Sequence, residues 1–270
     1  MKAFPAFGIL FGDRARLPEL KKLLEDNSNL PGPRANLELA YSFTRSVASM
    51  RLEEWQFDAL VAMAKTPDQK APVNTPGEFV PVCALMALGA LCGEGLPRPR
   101  KRAAFATLRA MAEDPRWRVR EGVAMGLQLY GERDLAGLRA TAEAWMTEGS
   151  FLVQRAVIAA LAHPPILSDA EFVRFCLAVS RTILWGLSKA NGMARRTEPF
   201  RVLRQALGYA VSVFVAALPA EGFDLLRKAA SLEDRDVAWV VKENLAKKRL
   251  TKSHAAEVKA VQSIVGKRKG

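Results

Sequence analysis

Four times in this chain a carboxylate precedes a basic or amide side chain by six residues: Asp114 and Arg120, Glu148 and Gln154, Glu198 and Arg204, Asp236 and Lys242. Two roles suit that spacing. The cations Arg120, Arg204 and Lys242, with Arg155 next to Gln154, would form a basic ladder able to grip phosphates. Equally, each acid would favour the positive end of a helix while its base pairs with a neighbouring repeat, so that the ladder only holds the fold together. The spacing alone does not choose between them.

The remaining charge is unbalanced. Lys and Arg number 40 against 28 Asp and Glu, a formal net charge of +12. The surplus gathers in Arg98-Pro99-Arg100-Lys101-Arg102, Arg195-Arg196, Lys247-Lys248-Arg249 and Lys267-Arg268-Lys269. These runs read as joins between elements or as the C-terminus, where charge is solvated. A balance this basic favours a polyanionic partner, double-stranded DNA among them. It also fits a soluble basic face with no specific ligand. Arg195 and Arg196 are expected to reach out from a loop.

Other chemistry is sparse. His163 and His254 have no cysteine or carboxylate spacing typical of a metal site. No Walker loop, G-x-G-x-x-G or G-x-S-x-G occurs, so no metal and no other cofactor is expected. Cys83, Cys92 and Cys176 are odd in number and lie in apolar helical stretches, which suits a reducing cytosol and a cytoplasmic chain. The opening stretch is broken by Pro5 and Gly8, and no later segment holds the ~18 uncharged apolar residues of a spanning helix, so no membrane partner is expected.

The elements that would position these groups are helices. Hydrophobic residues make up 50% of the chain and aromatics only 8%, with Ala and Leu dominant and no β-branched runs. Aliphatic residues recur at i+4 steps in a repeated frame: Val119, Val123, Leu127; Val153, Val157, Leu161; Leu203, Leu207, Val211. Looser copies start at Leu39, Val82 and Val241. The anchors Leu39, Val82, Val119, Val153, Leu203 and Val241 are separated by 43, 37, 34, 50 and 38 residues, near the ~34 or ~40–47 periods of helical repeats. The widest step contains Lys189 to Thr197, an inserted loop. A second helix-like stretch precedes most anchors: Arg102–Glu113, Leu135–Thr147, Ala170–Leu187 and Gly222–Leu232. Short joins imply antiparallel pairs. Trp117, Phe151 and Trp239 share one slot of the frame, which reads as packing; Trp145 and Trp185 lie outside it and are the better candidates for exposed stacking.

The acidic residue, the Val-Arg pair (Val119-Arg120, Leu203-Arg204) and the aliphatic stripe resemble HEAT repeats. That resemblance implies an all-α fold, a right-handed α-α superhelix of about six antiparallel helix pairs. It would run as a single domain over 1–270, with 251–270 a capping helix and basic tail. The segment Trp145 to Ile158 (WMTEGSFLVQRAVI) is also similar to the bacterial alkylpurine DNA glycosylases built from HEAT-like repeats. Trp145 matches a Trp of that family, and Arg155-Ala156-Val157-Ile158 matches its Arg-Ala-aliphatic run. The family's catalytic Asp is replaced by Gly149, with Glu148 one residue earlier. The resemblance implies a basic concave surface for duplex DNA, and in an active enzyme Glu148 as the carboxylate and Trp145 against the lesion nucleotide.

Three functions follow. The first is a binding module that holds nucleic acid or another polyanion through Arg120, Arg155, Arg204 and Lys242, with Arg195 and Arg196 from the loop. The second is a glycosylase acting on alkylated bases. The third is a protein–protein scaffold, the common use of helical solenoids.

Overall fold

A computed structural model describes residues 7–147 and 149–266, and among them every regular element is helical. The helices are α1 (Phe7–Phe11), α2 (Leu17–Asp26), α3 (Leu37–Ala48), α4 (Glu54–Ala64), α5 (Phe79–Gly93), α6 (Arg98–Met111), α7 (Trp117–Arg133), α8 (Leu135–Thr147), α9 (Phe151–Leu161), α10 (Ala170–Ser188), α11 (Glu198–Ala217), α12 (Pro219–Ala230), α13 (Arg235–Leu245), α14 (Lys248–Thr251) and α15 (Ala255–Gly266). The chain divides into two compact units, Met1–Ala140 and Thr141–Gly270.

In the first unit α5 is central. Its residues from Phe79 to Cys92 are all buried, so it is apolar on every face, as a helix enclosed by others must be. It packs against α3 and α7 in one row and against α4 and α6 in a second layer. The α5–α7 crossing is close because Gly89 meets Gly126 and Gly122 meets Val82, backbone against backbone. Gly95, with φ +83°, follows the end of α5 in a left-handed conformation that glycine adopts without strain. By length and composition the stretches Pro76–Gly93 and Glu198–Ala217 match a membrane span, but 83% of the first is buried among its neighbouring helices.

The second unit repeats the arrangement. Helices α9, α11 and α13 pack in a row; α10 and α12 contact that row and each other, and α15 contacts α12 and α13. Every member of the i+4 stripes, from Leu39, Phe43 and Val47 to Leu203, Leu207 and Val211, is buried. The 189–197 segment is a loop with a 3-10 turn at Ala194–Arg196. Within the C-terminal stretch α15 rests on α12 and α13, while Lys267, Arg268 and Lys269 lie outside the described residues.

Candidate nucleic-acid interface

Most of the cations in the repeat frame are directed inward. Around the start of α7, Arg116 is fully buried and grips Asp114 through two bonds, Nε to Oδ1 at 2.8 Å and Nη2 to Oδ2 at 2.7 Å. It also donates to the carbonyls of Ala71 (3.0 Å) and Thr66 (2.8 Å). Arg120 is buried and donates to the carbonyls of Asp114 and Pro115, closing the same turn. Arg118 pairs with buried Glu78 at 3.1 Å and donates to the carbonyl of Gly32. Arg155 is buried in α9. These guanidiniums occupy the interior; Arg120 and Arg155 offer no exposed surface for a phosphate backbone.

The second unit carries a related cluster. Asp234 caps α13, accepting from the N–H groups of Asp236 (3.0 Å) and Val237 (2.9 Å). Arg195 turns in from its loop to meet Asp234 at 2.7 Å and Asp236 at 2.6 Å. It also donates to the carbonyls of Leu187, Ser188 and Ala190, which end α10. Arg195 is thus a tie between α10 and α13, not a side chain reaching outward; Arg196 next to it is exposed. Arg204 completes the cluster by pairing with Asp236. Burial alone would raise the pKa of Asp234, but the Arg195 guanidinium and the two N–H groups outweigh it and hold the carboxyl below its ordinary value.

With those acids matched, unpaired positive charge remains in a neighbourhood of α11, α13 and α14. Arg201, Gln205 and Tyr209 are exposed and follow one another at i+4 steps, which puts them on one face of α11. Trp239 from α13 lies beside that stripe. Its ring sits against Gly208, where an added Cβ would meet it at 3.0 Å, and Arg204 stacks on it at 4.6 Å from the ring centroid. Arg249 stacks on Tyr209 in the same way, at 4.7 Å. Lys242 and Arg235 are exposed on α13; Arg235 is 85% exposed and only skirts Asp236 at 3.8 Å. Glu243 is paired with Lys247 at 3.4 Å. Among the described residues, then, Asp234, Asp236 and Glu243 already have cations, while Arg201 and Lys242 have no carboxylate partner.

The other basic runs are partly consumed. Lys101 pairs with Asp134 at 3.4 Å and lies over the Tyr130 ring. Arg100 donates to the carbonyl of Leu52, leaving Arg98 and Arg102 exposed at the start of α6. No group of three or more His, Cys, Asp or Glu suited to a metal is found among the described residues. Burial pushes the Cys92 thiol up to about 12 and raises the Cys83 and Cys176 thiols well above their ordinary value, which suits packing and not nucleophilic chemistry.

The aromatic expectations are partly reversed. Trp145 is only 5% exposed, so its ring offers no stacking face. Trp117, read as packing, is 47% exposed with Arg118 at 4.3 Å. Gly149, in the place of the glycosylase Asp, has φ +76°, the left-handed backbone of a residue that ends a helix. Glu148 lies outside the described residues. Periodicity did not single out Arg116, Asp234, Arg201, Tyr209 or Arg249. The aliphatic stripe on α11 leaves 201, 205 and 209 on the opposite face, which was the available signal for two of them, Arg201 and Tyr209.

No protein-family model matches the chain, and no curated protein is similar to it. Among solved structures, the crystal structure of an engineered protein is similar over 96% of this chain and 98% of its own, at 16% identity and a TM-score of 0.39.

Proposed function

We propose that this chain is a HEAT-like repeat protein that binds nucleic acid through the basic face of α11, α13 and α14. The alternation of helices within each unit, α3-α5-α7 and α9-α11-α13 with their partners in a second layer, supports a superhelical array. The observation that carries the binding role is the unmatched charge: Arg201 and Lys242 stand exposed without a carboxylate partner among the described residues, while Asp234, Asp236 and Glu243 are already paired. A phosphate backbone supplies the missing counter-charge, and its counterions are released on binding. Of the cations expected in the basic ladder, Lys242 keeps this role and Arg204 contributes by orienting Trp239; Arg195, expected to reach from the loop, contributes by fixing the start of α13.

Fluorescence anisotropy with labelled 20-mer DNA, duplex and single-stranded, across a salt series tests this. Binding is expected at low salt and should weaken steeply with added salt. In the double variant Arg201→Ala, Lys242→Ala the slope of log affinity against log salt should fall by about 2. Absence of binding to both DNAs at low salt overturns the proposal.

The scaffold reading has one observation in its favour. Val73 (52% exposed) and Trp117 (47% exposed) are large exposed apolar side chains, and Arg118 stacks on Trp117 and reaches the side chain of Asn74, the neighbour of Val73 in sequence, at 3.3 Å. The glycosylase reading has less support, since Trp145 is buried and Gly149 ends a helix.

A further inference from the structure

We infer that the α11–α13–α14 face takes single-stranded nucleic acid, with Tyr209 as a platform for an unpaired base. This rests on the nucleic-acid reading above and narrows it. Phosphate contact needs only cations; it gives no reason for a large ring to stand in water. Tyr209 is 53% exposed in the middle of a 20-residue helix whose opposite face is core. A buried aromatic would contribute substantially to stability, so its outward position is unexplained by packing.

The ring is also held. The guanidinium of Arg249 lies 4.7 Å from the Tyr209 centroid, over the ring of a side chain that is 53% exposed. The arrangement recurs nearby: Arg204 lies 4.6 Å from the centroid of Trp239, which rests on the bare backbone of Gly208. Exposed Tyr209, backed by a guanidinium and near unmatched Arg201 and Lys242, combines the two parts of a single-strand site: a charged track for the backbone and a π-face for a base. A duplex keeps its base faces stacked inside and would meet only the cations. Gln205, between Arg201 and Tyr209 on the same stripe, adds a donor and acceptor beside the platform.

Three labelled 20-mers of equal label chemistry separate the possibilities: oligothymidylate, an abasic strand of the same phosphate count, and a duplex. At one low salt concentration oligothymidylate should bind about tenfold or more tighter than the abasic strand. Tyr209→Ala should bring the two within about twofold while leaving abasic binding unchanged. Tyr209→Phe should keep the preference, because the ring remains. Arg201→Ala with Lys242→Ala should weaken all three ligands together. Equal binding of oligothymidylate and the abasic strand, or a preference untouched by Tyr209→Ala, overturns the single-strand inference while the nucleic-acid reading stands. A duplex bound tighter than oligothymidylate also overturns it. No binding of any of the three at low salt overturns both.

Discussion

The side chain of Asn244 on α13 is bonded into the backbone of α11, its Oδ1 accepting from the N–H of Ser212 at 2.6 Å. Its Nδ2 donates to the carbonyl of Leu207 at 2.9 Å and to Val240 of its own helix at 2.7 Å. Both residues are fully buried. A hydrophobic contact between two helices tolerates sliding; an amide that must meet one N–H and one carbonyl does not. Asn244 therefore sets the register between α11 and α13, and with it the placement of Trp239 against Gly208 and Arg204.

Removing that amide takes away both bonds between the helices, from the N–H of Ser212 and to the carbonyl of Leu207, in a fully buried contact. Asn244→Ala is expected to cost ~1–3 kcal/mol in chemical denaturation, the range for unmade buried hydrogen bonds. Ser212→Ala keeps the N–H that Asn244 needs and loses only a local bond from Oγ to the Tyr209 carbonyl, so it should cost clearly less. Equal losses in the two variants would show that the amide does not lock the helices.

Arg116 makes a stronger demand. Its fully buried guanidinium serves a carboxylate and two carbonyls in a fixed fork. Lys keeps the charge but cannot match that geometry. Arg116→Lys and Arg116→Ala should both destabilise the first unit severely, the Ala variant by ~3–5 kcal/mol because it strands the Asp114 charge. Denaturant unfolding followed by circular dichroism measures this. A Lys variant as stable as the original would mean that charge alone suffices.

These two residues mark the limit of what periodicity conveys. The helices were legible because aliphatic residues at i+4 steps leave no other way to bury a continuous face, and α8 begins and ends at the expected Leu135 and Thr147. The inserted loop was legible from the widened step before Leu203. The direction of an arginine was not. Arg116 sits three residues before the stripe anchor Val119, and nothing in its spacing distinguishes it from a solvated cation; only the carbonyls of Thr66 and Ala71, about fifty residues away in sequence, draw it inward. Arg195 misleads for the same reason, since the carbonyls ending α10 and the acids starting α13 converge on it through the fold. Tyr209 was passed over because a lone aromatic off the stripe has no periodicity to announce it.

The Arg195–Asp234 pair gives the second unit a dependence on pH. The folded state holds the Asp234 carboxyl below its ordinary value of 3.8. A lowered folded pKa contributes stability above the unfolded value, and that contribution is lost as pH falls through the folded value. As pH falls below about 4 the original chain should lose stability more steeply than Asp234→Asn. The variant should start lower at pH 7, because Arg195 loses one of its two anionic partners. Thermal melts across this range provide the comparison, and parallel curves would remove Asp234 from the account.

The α5–α7 crossing offers the sharpest steric test. A methyl added at Gly126 would lie 2.6 Å from the carbonyl oxygen of Leu85, and one at Gly89 would overlap the backbone of Gly126. Neither obstacle is a flexible side-chain end, so the helices themselves must separate, exposing the continuous apolar surface of α5. Overpacking of this kind costs roughly 1–3 kcal/mol, while the better helix propensity of Ala returns at most about 1 kcal/mol. Gly126→Ala should therefore melt several degrees below the original chain. Gly186→Ala in α10 has open space around it and is exposed, so only the propensity gain operates there and its melting temperature should hold or rise. The opposite signs matter more than the sizes, because both changes add one methyl to a helical glycine. If Gly126→Ala melted no lower than Gly186→Ala, the two helices could not approach as closely as described.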